Sequence, residues 1–368
     1  MRADAARAGG TAVDVRLGSG LSVQQANADF RAAVAEIGMS VTVREPIASH
    51  TTFRIGGPAD LYVAVSDRVQ LERVTALAAE HGLATMVLGG GSNLLMSDAG
   101  VRGLVIANQT RVICEAKGGE APAGKSAQVI ADSGVALAGL ARWAIRAGWA
   151  GLEWAVSIPG TVGGAVIGNA GAHGSEIAAH LAWVQVARPG YGARTLTVDE
   201  LGFGYRTSIL KRLLAENRQD SGANAAVAVL AAGFQLVRGN VEEMTARAEA
   251  FLAQRRISQP VEPSAGSIFR NPPGDHAGRL VEAAGLKGQR IGGAQISPRH
   301  ANFVVNTGNA RATDVVGLIE LMRMRVHERF GIELEPEIIF AGMWDRQPPY
   351  GQLPGGAAGS SIGRVGHA

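Results

Sequence analysis

Residues Leu88-Gly89-Gly90-Gly91-Ser92-Asn93-Leu94-Leu95 place three consecutive glycines directly after a short apolar run, residues 84–88. That run has the length and composition of a buried strand ending where the glycines begin. Successive glycine N–H groups can form an anion-binding concavity, because no Cβ atom keeps a phosphate from the backbone. Alone, the loop is equally compatible with a phosphate-binding loop and with a tight turn between two strands.

The residues around these glycines do not fit a dinucleotide-binding fold of the familiar kind. The pattern G-x-G-x-x-G is missing here, and no helical period separates the loop from the next strand-like run, residues 103–107. In that fold a helix follows the glycines directly. A second glycine-rich stretch, Ser157 to Gly174, contains more glycine than one turn requires. Two such stretches suggest a ligand long enough to contact both.

The composition limits the classes of function. The chain has 368 residues, 46% of them hydrophobic, which is enough for two or three domains with a sizeable core. Its 35 Lys and Arg against 32 Asp and Glu leave a net charge of +3, so charge gives no indication of nucleic-acid binding. Cys114 is the single cysteine, which excludes an internal disulfide and fits a reducing, cytoplasmic setting. We expect no membrane span, and the histidine spacing predicts no metal site.

Helices alternate with strands along the chain, which predicts a mixed α and β architecture. We expect an N-terminal extension at 1–40, compact units at 41–110, 111–237 and 238–344, an exposed loop at 215–225, and a disordered tail at 345–368. The expected helices are 23–37, 67–81, 137–147, 241–255 and 314–330, and the expected strands include 61–65, 227–237 and 332–340. We expect Val69, Val74, Leu77 and Ala78 to lie on one apolar face of helix 67–81. Gly148 should end helix 137–147, and Asn240 should cap helix 241–255, whose apolar stripe includes Val241.

Three side chains could carry chemistry, but each also has a structural explanation. Arg206 could be a surface charge, and Ser267 could cap a turn. Glu337 shares a face of the expected strand with Glu333 and Glu335, which is typical of a solvated edge. Spacing alone favours the structural explanation for all three residues.

Seven segments, taken together and in their order, are more specific than any one of them: Thr51–Gly57, Leu88–Leu95, Ile158–Gly174, Gly204–Ser208, Ala265–Pro272, Gly292–Ser297 and Leu334–Glu337. In these segments, from about residue 41 to residue 342, the chain resembles the UDP-N-acetylenolpyruvoylglucosamine reductase family. Members of that family are flavoenzymes that complete the synthesis of UDP-N-acetylmuramate for peptidoglycan.

The resemblance implies an α+β fold. Its first two units would form a two-part FAD-binding module of the vanillyl-alcohol oxidase-like (PCMH) type, and a C-terminal α+β unit would bind the substrate. The resemblance supplies non-covalent FAD as the long ligand and NADPH as the reductant. The implied flavin-binding residues are Arg54, Gly89, Gly90, Gly91, Ser92, Asn93, Leu94, Thr161, Gly163, Gly164 and Asn169.

The resemblance also implies that Arg206, Ser267 and Glu337 are catalytic. In the implied reaction, hydride adds to the terminal carbon of an enolpyruvyl ether after NADPH has left, so negative charge develops toward the α-carbon and carboxylate. Arg206 would stabilise that charge and Glu337 would help to position the carboxyl end. Ser267 would protonate the α-carbon as general acid. A serine hydroxyl is a weak acid, so it needs polarising neighbours, among which Arg270 is a candidate.

The chain departs from the family pattern in two places. Arg270 stands where the family often has lysine, whereas Asn271 fits a substrate contact. The strand ending at Val237 leads almost directly into the helix at Val241, without the inserted tyrosine-bearing segment of the family's longer type. The chain therefore resembles the shorter type. Possible contacts of the substrate diphosphate are then Arg279, Arg290, Arg299 and His300.

Two other functions stay open from the residues. An oxidase of a small alcohol or sugar could use the same flavin module, although it would need a base to take a proton rather than an acid to give one. A non-catalytic flavin- or nucleotide-binding protein is the second alternative. For the leading hypothesis the expected partner is a small sugar nucleotide, with no nucleic acid, membrane or obligatory protein partner.

Overall fold

The computed structural model describes residues 23–116, 126–216 and 227–344. The expected tail at 345–368, most of the expected loop at 215–225, and residues 1–22 lie outside the described residues. Helix α1, Val23–Glu36, agrees with the expected helix to within one residue at its end. It buries Phe30 and Val34 against the first sheet.

The first sheet lies around the opening glycine loop. Its elements, in chain order, are β1 (Thr42–Pro46), β2 (Pro58–Val65), helix α2 (Arg68–Glu80), β3 (Thr85–Leu88) and β5 (Val101–Asn108), with β4 (Leu94–Met96) between β3 and β5 outside this sheet. The strand order is β1-β2-β5-β3, with β2 and β3 parallel to β5. Strand β3 confirms the expected strand before the glycines. The loop then leads into β4 rather than into a helix.

Helix α2 confirms the expected helix but not the whole of its expected apolar face. Asp67 caps the helix by accepting a hydrogen bond from the Gln70 amide over 2.8 Å. The buried side chains include Leu71, Val74 and Ala78, whereas Val69 is 65% exposed. At about 100° per residue, Val69 lies off the face defined by the others, so its assignment to the apolar face was wrong.

The second sheet is antiparallel and contains the chain's longest described strand. The elements of this part are β6 (Ile113–Glu115), β7 (Ser126–Asp132), α3 (Leu137–Arg146), β8 (Trp149–Ala150), α4 (Val162–Gly168), β9 (Gly171–Ala172), β10 (Ser175–Glu176), β11 (Leu181–Arg188), β12 (Gly192–Thr197), α5 (Val198–Leu201), α6 (Ile209–Glu216) and β13 (Ala228–Arg238). The strand order of the sheet is β12-β11-β13-β7-β6, with β8 also paired to β13. Gly148 has φ +76° just after α3, as expected of a helix-ending glycine.

The remaining elements include a small three-stranded sheet with its helices, a helix whose buried side chains join the core of the second sheet, and a last strand that pairs with β4. Asn240 caps the first of these helices, where Val241, expected in the apolar stripe, is 44% exposed because the buried contact is made by Met244 and Ala248. The elements are α7 (Val241–Ser258), α8 (Ala277–Ala283), β14 (Arg290–Ile291), β15 (Ala294–Ile296), β16 (Val304–Asn306), α9 (Ala312–Phe330) and β17 (Ile339–Ala341).

The expected strand at 332–340 was wrong over most of its length, because only its last residues belong to β17. Pro336 lacks a ladder donor, which disfavours a continuous strand through that position. Instead, Pro336 forms an isolated bridge with Phe269, and β17 pairs in parallel with β4. This pairing joins the C-terminal segment to the end of the glycine loop.

The hydrophobic core continues across this junction. One buried cluster contains Phe53, Ile55 and Leu95 together with the side chains that surround α9. The glycine loop and the C-terminal segment are therefore held to each other by packing as well as by hydrogen bonds. No helix in the described ranges is both long enough and apolar enough to cross a membrane.

Candidate active site

The two glycine-rich stretches meet in the fold. A Cβ atom on Gly89 would collide with Thr161 Oγ1, and one on Gly90 would lie 3.0 Å from the Cα of Gly160. Gly160 has φ +104°, and a Cβ there would lie 2.6 Å from Ser92 Oγ. Glycine is required at this contact because the two backbones approach closely.

The second stretch is more regular than expected, because it contains helix α4. Gly163 and Gly164 lie in the first turn of that helix, and a Cβ on Gly163 would lie 3.0 Å from the Cβ of Ser133. A cavity of about 100 Å³ separates this turn from the first sheet. Its lining includes Gly89, Asn108, Ser133, Thr161, Gly163 and Gly164.

The backbone amides of the first loop are available to a ligand. Among the described residues, none accepts a hydrogen bond from the amides of residues 89–93. Backbone N–H groups need a partner, and an anion such as a phosphate provides one. The donors and the missing Cβ atoms fit the diphosphate of a dinucleotide cofactor.

The end of this loop is bound to the segment that carries Glu337. The Asn93 side-chain amide donates to the main-chain oxygen of Glu337 over 3.1 Å. The main-chain oxygen of Asn93 accepts from the Ile339 amide over 2.9 Å. On the other side, Thr52 Oγ1 donates to the Ser264 oxygen over 2.7 Å, three residues before Ser267.

Arg206 and Glu337 form an ion pair, with 2.9 Å between Arg206 Nε and Glu337 Oε1. The Nε–H bond is not aligned for a hydrogen bond, so the contact is electrostatic. Nη2 of the same guanidinium donates to the Gly171 oxygen over 3.0 Å. The side chains of Arg206 and Glu337 are 25% and 18% exposed, so both are largely shielded from water.

Burial raises the pKa of Glu337, and three cations partly oppose that effect. Arg206, Lys211 and Arg270 each lower the pKa of this carboxyl by their positive charge. The site therefore concentrates positive charge around one partly desolvated carboxylate. An anionic substrate group would be attracted to the same place.

Ser267 lies on a segment paired with the one that carries Glu337. The Glu337 amide donates to the Ile268 oxygen over 2.7 Å, and Ser267 itself forms a bridge with Phe303. In the described part of the chain, the Ser267 hydroxyl has no hydrogen-bond partner. Arg270 Nε is buried and likewise has no acceptor among the described residues, so both retain donor capacity.

Two of the expected ligand contacts already make structural hydrogen bonds. Asn169 is 1% exposed. Its side-chain NH₂ group donates to the main-chain oxygen of Gly204, and its Oδ1 accepts from the Ala178 amide. The bond to Gly204 fixes the turn that carries Arg206. Asn271 Oδ1 accepts from the Ala277 amide at the start of α8, so its NH₂ group remains for a ligand.

The four residues expected to contact a diphosphate are partly engaged elsewhere. Arg279 forms an exposed ion pair with Asp275. Arg290 bonds Gln295 over 3.2 Å. The remaining two are Arg299, which donates to main-chain oxygens at the end of α7, and His300, whose Nδ1 accepts from the Asn302 amide and whose pKa is lowered by burial.

Two cations near the site were not predicted from the sequence. Lys211 lies in helix α6, which was not predicted, and its ammonium donates to the Arg206 oxygen over 2.9 Å. Arg255 lies on α7 near His173, and its guanidinium has no carboxylate partner in the described residues. Lys211 lies in a short helix that was not predicted, and the helical period around Arg255 does not distinguish a ligand-binding cation from an ordinary surface arginine.

Comparisons with known proteins agree with this architecture. Residues 59–192 match a family model described as FAD binding domain, and residues 259–341 match the C-terminal domain of UDP-N-acetylenolpyruvoylglucosamine reductase. The reductase of that name from Chloroflexus aggregans is 41% identical over 82% of this chain and 98% of its own length. The one from Trichormus variabilis is 44% identical over 80% of this chain and 85% of its own.

A solved structure has the same fold. The UDP-N-acetylenolpyruvylglucosamine reductase from Thermus caldophilus has a TM-score of 0.66 and 36% identity, covering 82% of this chain and 98% of that one. The fold and the FAD-binding match define a flavin-dependent oxidoreductase with an FAD-binding module and a C-terminal α+β unit. The chain belongs to the UDP-N-acetylenolpyruvoylglucosamine reductase family. The expected fold class, family and FAD cofactor are thereby confirmed.

Proposed function

We infer that the chain reduces the enolpyruvyl ether of UDP-N-acetylglucosamine to UDP-N-acetylmuramate, with NADPH as the source of hydride and FAD as the cofactor. The observation that carries this function is the Arg206–Glu337 ion pair at 2.9 Å. It is bonded through Asn93 to the glycine loop and through Ile268 to the segment of Ser267. These contacts support the proposal that the three catalytic residues act beside the cofactor loop.

FAD fits the cleft between the two glycine-rich stretches, here called the glycine walls, residues 89–93 and 160–164. The missing Cβ atoms leave room for the cofactor, and backbone N–H groups can donate to it. Residues 89–93 offer unpaired amides for the diphosphate, while Thr161, Gly163 and Gly164 form the facing wall. These residues, with Arg54, Leu94 and the turn fixed by Asn169, are the proposed flavin site. When bound, FAD supplies the redox chemistry by taking hydride from NADPH and passing it to the terminal carbon of the enolpyruvyl group.

The protein's own residues stabilise the negative charge that develops on the substrate and supply the proton for its α-carbon. Arg206 stabilises the negative charge that develops on the carboxyl end of the substrate, because its guanidinium is permanently charged and largely desolvated. Glu337 holds that guanidinium in place. Ser267 gives its hydroxyl proton to the α-carbon and recovers one from water before the next turnover. The unpaired Nε–H of Arg270 is available to polarise the same region.

Arg255 is the proposed contact for the nucleotide diphosphate. Burial lowers the pKa of Arg255, and within the described residues no carboxylate pairs with its guanidinium to offset that desolvation. His173 is stacked on Phe251 with ring centroids 4.1 Å apart, and burial together with the Arg255 charge lowers the pKa of His173. The hairpin that carries His173 also carries Gly171, which bonds Arg206. Asn271 supplies the second proposed substrate contact.

The remaining assignments follow from this reaction. The proposed units are a flavin-binding part at 41–237, divided near residue 110, and a substrate-binding part at 238–344, with an extension at 1–40. We propose that the enzyme works in the cytoplasm, since its product feeds the synthesis of peptidoglycan precursors. Incubation with NADPH and the enolpyruvyl substrate tests the function: mass spectrometry should show a product two hydrogens heavier. NADPH consumption without that product would refute it.

A further inference from the structure

The turn that carries Arg206 has an unfavourable backbone conformation. Arg206 has φ +57°, in the left-handed region that is unfavourable for a residue with a Cβ atom. Such a conformation persists only when its surroundings hold it in place. The side chains that do so matter for catalysis, because the φ value of Arg206 helps to determine where its guanidinium points.

Three interactions hold this turn. Gly204 and Thr207 bond each other through both main chains, at 3.1 Å in each direction. The Asn169 amide holds the Gly204 oxygen from the side of α4. The Lys211 ammonium donates to the oxygen of Arg206 itself over 2.9 Å.

Lys211 is itself fixed to the flavin-binding part of the molecule. Ser208 Oγ donates to the Ile167 oxygen of α4 over 2.7 Å and accepts from the Lys211 amide over 3.3 Å. The first turn of α6 is therefore attached to α4. Since α4 carries Gly163 and Gly164, the position of Lys211 is coupled to the proposed flavin wall.

We propose that Lys211 is a positioning residue, which fixes the backbone of Arg206 through its ammonium group and adds positive charge beside Glu337. This inference rests on the proposed function. The charged groups that act on Glu337 are Arg206, Lys211 and Arg270, from three different segments. Removing the Lys211 charge therefore raises the pKa of Glu337 further and weakens its ion pair with Arg206.

The test compares Lys211→Met and Lys211→Arg with Arg212→Met, a neighbouring cation on the exposed side of α6. Anaerobic stopped-flow measures flavin reduction by NADPH, then flavin reoxidation by the enolpyruvyl substrate, across a range of pH. In Lys211→Met, reoxidation should slow by about 100-fold, the effect of misplacing a group by about 1 Å, while NADPH reduction stays within about twofold of wild type. In the same variant, the acid limb of the pH profile of the reoxidation rate should move to higher pH, because the pKa of Glu337 is raised further.

Lys211→Arg should recover most of the rate and restore the position of the acid limb, and Arg212→Met should behave as wild type. Reoxidation of Lys211→Met at the wild-type rate with an unmoved acid limb would overturn the inference. An equal loss in both half-reactions would also overturn it, because that pattern reports damage to the flavin site. If the wild type itself were not reoxidised by the substrate, the proposed function would fail instead.

Discussion

The side-chain amide of Asn93 donates a hydrogen bond to the main-chain oxygen of Glu337 over 3.1 Å, although 244 positions separate these residues in the chain. One residue therefore belongs both to the loop proposed to hold the FAD diphosphate and to the support of a proposed catalytic carboxylate. Because β4 and β17 also pair beside it, backbone hydrogen bonds and the Asn93 side chain together set the distance between the cofactor loop and the catalytic segment.

Gly89→Ala should strongly reduce FAD content, because the added Cβ collides with Thr161 Oγ1 where the glycine walls meet. The double variant Gly89→Ala with Thr161→Ala removes that atom and should recover part of the binding. Gly168→Ala is the matched control, since no atom lies within 4 Å of its added Cβ. FAD content after purification and FAD affinity by fluorescence measure the effect; a fully loaded Gly89→Ala enzyme would contradict the proposed cofactor site.

Glu337→Gln should abolish most substrate reduction while making the fold more stable at neutral pH. Burial raises the folded-state pKa of Glu337 above its unfolded value, so the folded protein binds this proton more tightly. That contribution to stability is fully present below the unfolded pKa and is lost as pH rises through the folded pKa.

The Tm of Glu337→Gln relative to wild type should therefore increase from pH 4 to pH 7, by about 2 °C. Thermal unfolding across that pH range measures it. Glu335→Gln, whose side chain is 77% exposed, serves as the control and should show no such trend. If Glu337→Gln were less stable than wild type at pH 7, the raised pKa of Glu337 would be contradicted. If it were fully active, the catalytic role of Glu337 would be contradicted.

Ser267→Ala should slow flavin reoxidation by the enolpyruvyl substrate by about 10²–10⁴-fold, the usual contribution of a general acid. Flavin reduction by NADPH should be largely unchanged, because that step needs no proton at the α-carbon of the substrate. Ser264→Ala is the control: its main-chain oxygen bonds Thr52, and the variant keeps that contact. Equal reoxidation rates in Ser267→Ala and wild type would remove Ser267 from the mechanism.

Arg255→Met should weaken binding of UDP to the oxidised holoenzyme by about tenfold or more, the effect of losing one charge-assisted hydrogen bond in a partly buried site. Arg256→Met is the matched control, since Arg256 is the next residue on α7 and is exposed. Titration calorimetry with UDP reports binding without turnover. Equal affinities of Arg255→Met and wild type would exclude Arg255 from the nucleotide site.

Much of this molecule could be predicted because the strongest signals are local. The apolar run before Gly89, the stop at Gly148 and the cap at Asn240 each depend on neighbouring residues, and each appears in the fold. The failure at 332–340 is also local in origin: apolar alternation suggested a strand, but Pro336 interrupts the ladder.

The site itself could not be assembled from spacing. Arg206 meets Glu337 through a side-chain ion pair, and the segments of Ser267 and Glu337 meet through a main-chain hydrogen bond. No periodicity in the sequence encodes which of these distant segments meet. The resemblance to the reductase family, over seven segments in the same order along the chain, supplied that information. Lys211 and Arg255 were missed because neither feature can be read from the sequence. Lys211 matters through its contact with the Arg206 backbone, and Arg255 through having no carboxylate partner among the described residues.

The most direct test of the central claim is a two-step anaerobic experiment on the wild-type holoenzyme. NADPH is added first to bleach the flavin absorbance, excess NADPH is removed, and the enolpyruvyl sugar nucleotide is then added without oxygen. We predict complete return of the oxidised-flavin absorbance, with one UDP-N-acetylmuramate formed per flavin. A flavin that stays reduced until oxygen is admitted would contradict the proposed reaction.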